Sequence, residues 1–130
     1  MSITAEIIKE FRFEAAHFLP LVPENHQCKR MHGHSYKVVI RAEGPIDEKM
    51  GWVMDLCELN HAFAPIAKQL DHQLLNEIDG LENPTGEHVA LWIFQHLEKS
   101  LPLLSSVTVE ATGRIAITIH KNHKNHKNRL

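Results

Sequence analysis

From His32 to Ala42 the chain alternates with a period of two. Its even positions are His32, His34, Tyr36, Val38, Ile40 and Ala42, and its odd ones include Gly33, Ser35, Lys37 and Arg41. Such alternation specifies a strand with one mostly apolar face. His32 and His34 then project to the same side with Cα atoms roughly 6.5 Å apart, within reach of one ion. Phe11, Phe13, Ala15 and His17 also share a parity, so His17 ends a second apolar face that can pair beside the first. An HxH pair alone suits a solvated strand end equally well. A third histidine, and a thiol at Cys28 four residues before His32, favour a metal site. Neutral imidazole suits Zn²⁺, and three protein ligands with a fourth position open is the catalytic rather than the structural arrangement. Ligand type by itself leaves iron and nickel open.

The 130 residues make one domain, large enough for a core and small enough for an active site to need a neighbouring subunit. A net charge of −2 gives no basis for bulk binding to nucleic acid or an anionic membrane. Cys28 lies in a basic polar segment and Cys57 in an apolar helical pattern, so no disulfide is suggested. The opening MSITAEIIKEF has no apolar core of signal-peptide length, and no stretch is long enough to span a bilayer. The expectation is a cytoplasmic protein with Cys28 reduced.

After Glu43-Gly44-Pro45 breaks the second strand, Trp52-Val53-Met54 reads as a short third strand ending at Asp55. Asp55 with Glu58 forms an N-cap signature, and Leu56, Leu59, Phe63, Ile66 and Leu70 recur at helical spacing, with Pro65 expected to kink or split the helix. Thr85 caps a second helix whose Val89, Trp92, Ile93 and Leu97 share one face, and Pro102 closes it. Strands Val107–Thr112 and Ile115–Ile119 follow as a hairpin through Gly113. Residues 1–119 are thus the folded domain. Residues 120–130 repeat a His-Lys-Asn triplet and are expected to be a disordered tail, excluded from site arguments.

Two further groups bear on chemistry. A thiol at Cys28 beside cations and a metal is suited to act as base or nucleophile near neutral pH. His72, at the end of the first helix, is a candidate acid or base that Asp71 can orient. The helix dipole alone also favours a histidine there.

Five segments, taken in order, resemble the 6-pyruvoyltetrahydropterin synthase family. They are Phe13-Glu14-Ala15-Ala16-His17, Cys28-Lys29-Arg30-Met31-His32-Gly33-His34, Gly51-Trp52-Val53-Met54-Asp55, Leu70-Asp71-His72 and Glu82-Asn83-Pro84-Thr85. The likeness runs from about Phe11 to Thr112 and is strongest to the bacterial 6-carboxytetrahydropterin synthases of the queuosine pathway, which the segment between His17 and Cys28 also resembles. It implies an α+β tunnelling fold: a four-stranded antiparallel sheet with two helices on one face, assembling into a β-barrel. It also implies a homo-oligomer, a hexamer in the family, with active sites at subunit interfaces. The implied reaction converts 7,8-dihydroneopterin triphosphate to 6-carboxy-5,6,7,8-tetrahydropterin, acetaldehyde and triphosphate. By the same resemblance His17, His32 and His34 hold Zn²⁺, and Cys28 with Asp71 and His72 moves protons. The alternatives are 6-pyruvoyltetrahydropterin synthase activity, or a non-catalytic zinc- or pterin-binding relative.

One position departs from the family. A glutamate directly before a threonine grips the pterin there, whereas Val107-Thr108-Val109-Glu110-Ala111-Thr112 puts Ala111 in its place and Glu110 one residue early. A one-residue offset sends a strand side chain to the opposite face unless a bulge restores it. Either Glu110 substitutes through such a bulge or the usual anchor is absent; the first is the expectation taken forward.

Overall fold

The computed structural model describes residues 3–111 and 113–122. Strands β1 (Thr4–His17) and β2 (His32–Pro45) are followed by helix α1 (Leu56–Leu70), the two-residue strand β3 (Gln73–Leu74), helix α2 (Gly86–Glu98), and strands β4 (Leu104–Ala111) and β5 (Ile115–His120). The sheet order is β3-β1-β2-β4-β5. The four long strands are antiparallel neighbours, as expected, and β3 adds a fifth by pairing parallel to the end of β1.

Alternation decides which face is covered. Phe13, Tyr36, Val38, Ile40, Val107 and Val109 are buried in one core with Leu59, Phe63, Ile66 and Leu70 of α1 and Val89, Ile93 and Leu97 of α2. Both helices therefore lie on one side of the sheet. Phe13 stacks on Tyr36 across the β1–β2 pair, with ring centroids 4.7 Å apart, and Phe11 stacks on Phe63 of α1 at 4.2 Å. Such stacking adds about 0.5–1.5 kcal/mol to the burial itself.

Both helix starts are capped by side chains. Asp55 accepts from the Cys57 amide at 2.9 Å, and Thr85 accepts from the His88 amide at 3.1 Å. Pro65 does not split α1. It stands on the exposed side, where water can solvate the His61 carbonyl that a proline cannot serve.

Two expectations are corrected. Trp52-Val53-Met54 is not a strand. The Trp52 carbonyl accepts from the Asp47 amide and the Asp47 carbonyl accepts from Gly51, closing a local loop in which Gly51 takes φ +77°. Three apolar residues looked like a strand, but the Trp52 carbonyl is spent on this turn and none of the three joins a ladder. At the other end, β5 extends through His120, which pairs with Ser106, so the folded part runs past residue 119. Thr112 and residues 123–130, which carry most of the triplet repeat, lie outside the described residues.

Leu70 is fully buried at the end of α1, immediately before Asp71 and His72. Leu70→Ala is expected to cost about 2–5 kcal/mol through lost burial and a residual cavity, measured as the shift in urea midpoint at fixed protein concentration.

Candidate metal centre and its surroundings

Strand register assembles the three histidines. His17 pairs directly with His32, and Ala15 with His34, in an unbroken β1–β2 ladder. Directly opposed residues project to the same face, here the helix-covered one. The ligand atoms of His17, His32 and His34 all lie within 4.8 Å of one another.

Backbone acceptors fix two of the rings. Nδ1 of His17 lies 2.9 Å from the Pro84 carbonyl, and Nδ1 of His32 lies 2.7 Å from the Arg30 carbonyl. A carbonyl only accepts, so both Nδ1 atoms donate and both Nε2 atoms keep their lone pairs. Those two Nε2 atoms are 3.0 Å apart. Two acceptors at that distance repel unless a cation lies between them. Nitrogens bound at about 2.0–2.1 Å around a tetrahedral zinc also sit a little over 3 Å apart. In addition, Nδ1 of His34 is buried with no hydrogen-bond partner. The donor set fits a divalent metal ion, with carbonyls orienting the ligand rings as outer partners commonly do.

Electrostatics point the same way. Burial, opposed in part by the Pro84 hydrogen bond and reinforced by His32 and His34, lowers the pKa of His17 below the ordinary 6.5. Burial and then the His32 charge lower that of His34. Neutral imidazole is the form that binds metal. Tyr36 lies beneath the cluster, fully buried, its ring edge-on to His17 and His34. Burial raises its pKa, which keeps the phenol neutral.

Cys28 shares this site. It sits in a single 3₁₀ turn, Gln27–Lys29, and lines the same cavity of about 810 Å³ as the three histidines. Its carbonyl accepts from Leu19, and Asn76 clamps the chain just after His17 by bonding both the amide and the carbonyl of Phe18, at 3.0 and 2.8 Å. Both cysteines are free thiols.

Asp71 and His72 are held elsewhere. One Asp71 oxygen accepts from the Glu14 amide at 2.9 Å, and the other meets His72 Nδ1 at 2.9 Å. These two contacts, the Glu14 one larger, lower the Asp71 pKa. Asp71 therefore orients the His72 ring, as the sequence suggested, and His72 adopts φ +59°, unusual for a residue with a side chain. Within the single chain this pair does not line the histidine cavity; His72 borders a second cleft with Glu14, Gly33 and Ser35, and the two share His34.

Glu110 is also apart. The β2–β4 register runs Tyr36↔Ala111, Lys37↔Glu110, Val38↔Val109, and its one irregularity lies far off, between Arg41 and Ala42. No bulge rotates Glu110 inward. It projects to the open face and pairs with Lys37 at 3.2 Å, while Ala111 faces the histidine cavity.

Sequence reasoning missed the Pro84 and Arg30 carbonyls and Asn76. Backbone acceptors leave no residue-type signature. In the Glu82-Asn83-Pro84-Thr85 segment the sequence shows the Thr85 cap but not the use of the Pro84 carbonyl, which immediately precedes it and accepts from His17.

Residues 6–122 match the family described as 6-pyruvoyl tetrahydropterin synthase. The chain belongs to that family. It is 43% identical over 112 residues to a 6-carboxy-5,6,7,8-tetrahydropterin synthase of Synechocystis, an alignment covering 82% of this chain and 85% of that one. It is 38% identical over 98 residues to a dihydroneopterin monophosphate aldolase of Pyrococcus furiosus, covering 75% and 79% respectively. The fold is similar to that of the Caenorhabditis elegans 6-pyruvoyl tetrahydropterin synthase, with a TM-score of 0.86 at 23% identity, over 93% of this chain and 98% of that one. Among the described residues no helix is long and apolar enough to cross a membrane.

The lowered histidine values give a signed expectation. The unfolded chain binds protons at these histidines more readily than the folded one, so their contribution is fully present above the ordinary 6.5 and declines as pH falls toward the lowered folded values. Metal-free protein should therefore lose stability on acidification through this window. His17→Gln should flatten that slope in chemical denaturation measured at a series of pH values.

Proposed function

We propose that this protein is a zinc-dependent lyase that converts 7,8-dihydroneopterin triphosphate to 6-carboxy-5,6,7,8-tetrahydropterin, with acetaldehyde and triphosphate released, in the queuosine pathway of the cytoplasm. The observation that carries the reading is the convergence of His17, His32 and His34 beside a free Cys28 in one cavity, in a chain 43% identical to a protein of that activity.

When bound, zinc supplies Lewis acidity to the side-chain oxygens of the substrate, making adjacent C–H protons easier to remove. The protein's own groups handle those protons. Cys28, which lines the same cavity as the three histidines, is the group assigned to accept and return one. Asp71 fixes His72 through Nδ1 and leaves Nε2 to exchange a second. His72 lines a neighbouring cleft rather than the cavity that holds Cys28, so the reading has a second copy bring its Asp71 and His72 to the cavity, in a homo-oligomer of the family's hexameric kind. The apolar wall at Val109 and Ala111 limits water around the pterin. With Glu110 turned away, orientation of the ring falls to other groups of the cavity or of the second copy.

Product analysis by mass spectrometry after incubating zinc-loaded protein with 7,8-dihydroneopterin triphosphate is the direct test. Carboxytetrahydropterin with acetaldehyde is expected. A product retaining the three-carbon side chain would transfer the assignment to 6-pyruvoyltetrahydropterin synthase activity, and unchanged substrate with zinc verified would leave a non-catalytic binding protein.

Site sharing has its own test. Cys28→Ala and His72→Ala should each keep zinc and lose activity, and co-assembling the two inactive variants should restore part of it. No recovery in verified mixed oligomers would place both groups in one chain's site.

A further inference from the structure

The histidine cavity carries charge that the pterin ring does not call for. Two guanidinium groups border it: Arg30, just before β2, and Arg114, in the β4–β5 hairpin. No carboxylate joins them among the described lining residues. Other cations of the sheet are paired, as Arg12 is with Glu10 at 3.0 Å and Lys37 with Glu110 at 3.2 Å. Arg30 and Arg114 have no such partner among the described residues.

The neighbouring cation shows the contrast. Lys29 is committed to structure: its Nζ donates to the Pro20 carbonyl at 2.7 Å and the Val22 carbonyl at 3.3 Å, and lies 3.6 Å from Glu24. Lys29 thereby braces the loop that presents Cys28. Arg30 reaches the cavity with its donors unspent, and Arg114 approaches from a different element. Two planar forks flanking one cavity match a polyanion better than a neutral heterocycle, since each can give paired N–H bonds to phosphate oxygens.

We propose that Arg30 and Arg114, which border the histidine cavity from two different elements, form the subsite for the phosphate chain of the substrate. The inference rests on the function proposed above for the identity of the phosphorylated ligand, but the charge arrangement itself does not. It also gives the hairpin a role in recognition. Held there, the departing triphosphate takes the electrons of its C–O bond while a proton leaves the adjacent carbon, and the guanidiniums offset the charge that collects on the phosphate oxygens.

Inorganic tripolyphosphate is the probe that separates the two ideas. In zinc-loaded protein, Arg30→Gln and Arg114→Gln should each weaken tripolyphosphate binding about tenfold by calorimetry, in line with the loss of a charge-assisted contact. Each should raise KM for the triphosphate substrate by a similar factor. Zinc content and binding of unphosphorylated 7,8-dihydroneopterin should stay unchanged, and Arg30→Lys should fall between wild type and Arg30→Gln. Arginine-dependent tripolyphosphate binding in a protein that makes no pterin product keeps the subsite and discards the lyase reading. Normal turnover with KM unchanged in both glutamine variants discards the subsite and keeps the lyase.

Discussion

Register between β1 and β2 is the constraint on which the rest of this molecule depends. Each strand contributes fourteen residues, and the pairing between them has no irregularity. The rung that opposes Phe13 to Tyr36 belongs to the same face as the rung that opposes His17 to His32. A slip of one residue would send His17 and the whole apolar row to the other side. Burial of the core and placement of the three histidines are therefore fixed by one alignment. The hydrophobic effect that sets the strands thereby brings the histidines to one face, and the Pro84 and Arg30 carbonyls then orient two of the rings.

The sheet divides chemistry between its faces. On the helix side lie the imidazoles, Cys28 and an apolar wall from β4 and β5. On the open side lie matched charges such as Lys37 with Glu110, and at the β1 edge the oriented Asp71–His72 pair. Helix α2 is tied into this scheme at its first turn. Thr85 caps it, the preceding Pro84 carbonyl selects the His17 tautomer, and Gly86 packs so closely on Ile117 that an added Cβ would meet its Cδ1 at 2.4 Å. A side chain there would make the end of Ile117 shift, and the close approach packs the helix start against the hairpin beside His17.

Much of this was legible in the chain, for a simple reason. A period of two is a strong signal, and the parity of Phe11 to His17 and of His32 to Ala42 was enough to bring three histidines to one point. Parity also identified the Glu110 offset correctly; the error lay in supposing a bulge to undo it, where the hydrogen-bonded ladder simply continues. Trp52-Val53-Met54 misled because hydrophobicity does not say where backbone groups are spent. The separation of Asp71 and His72 from the cavity had no local trace either, since it depends on β3 docking beside β1. The family standing of the chain could be inferred from ordered motifs, while the outer partners of the ligands, being carbonyls, could not.

All three histidines fall between residues 17 and 34, on the first hairpin, whereas α1 begins only at Leu56. A chain emerging from the ribosome carries the entire donor set before either helix has been made, and chains begin to organise from their N-terminal end. An ion captured at that moment would bind the two strand ends together and lock their alignment in advance of the core. The supply of metal during synthesis would then influence how reliably this protein reaches its native form, quite apart from any later role in turnover.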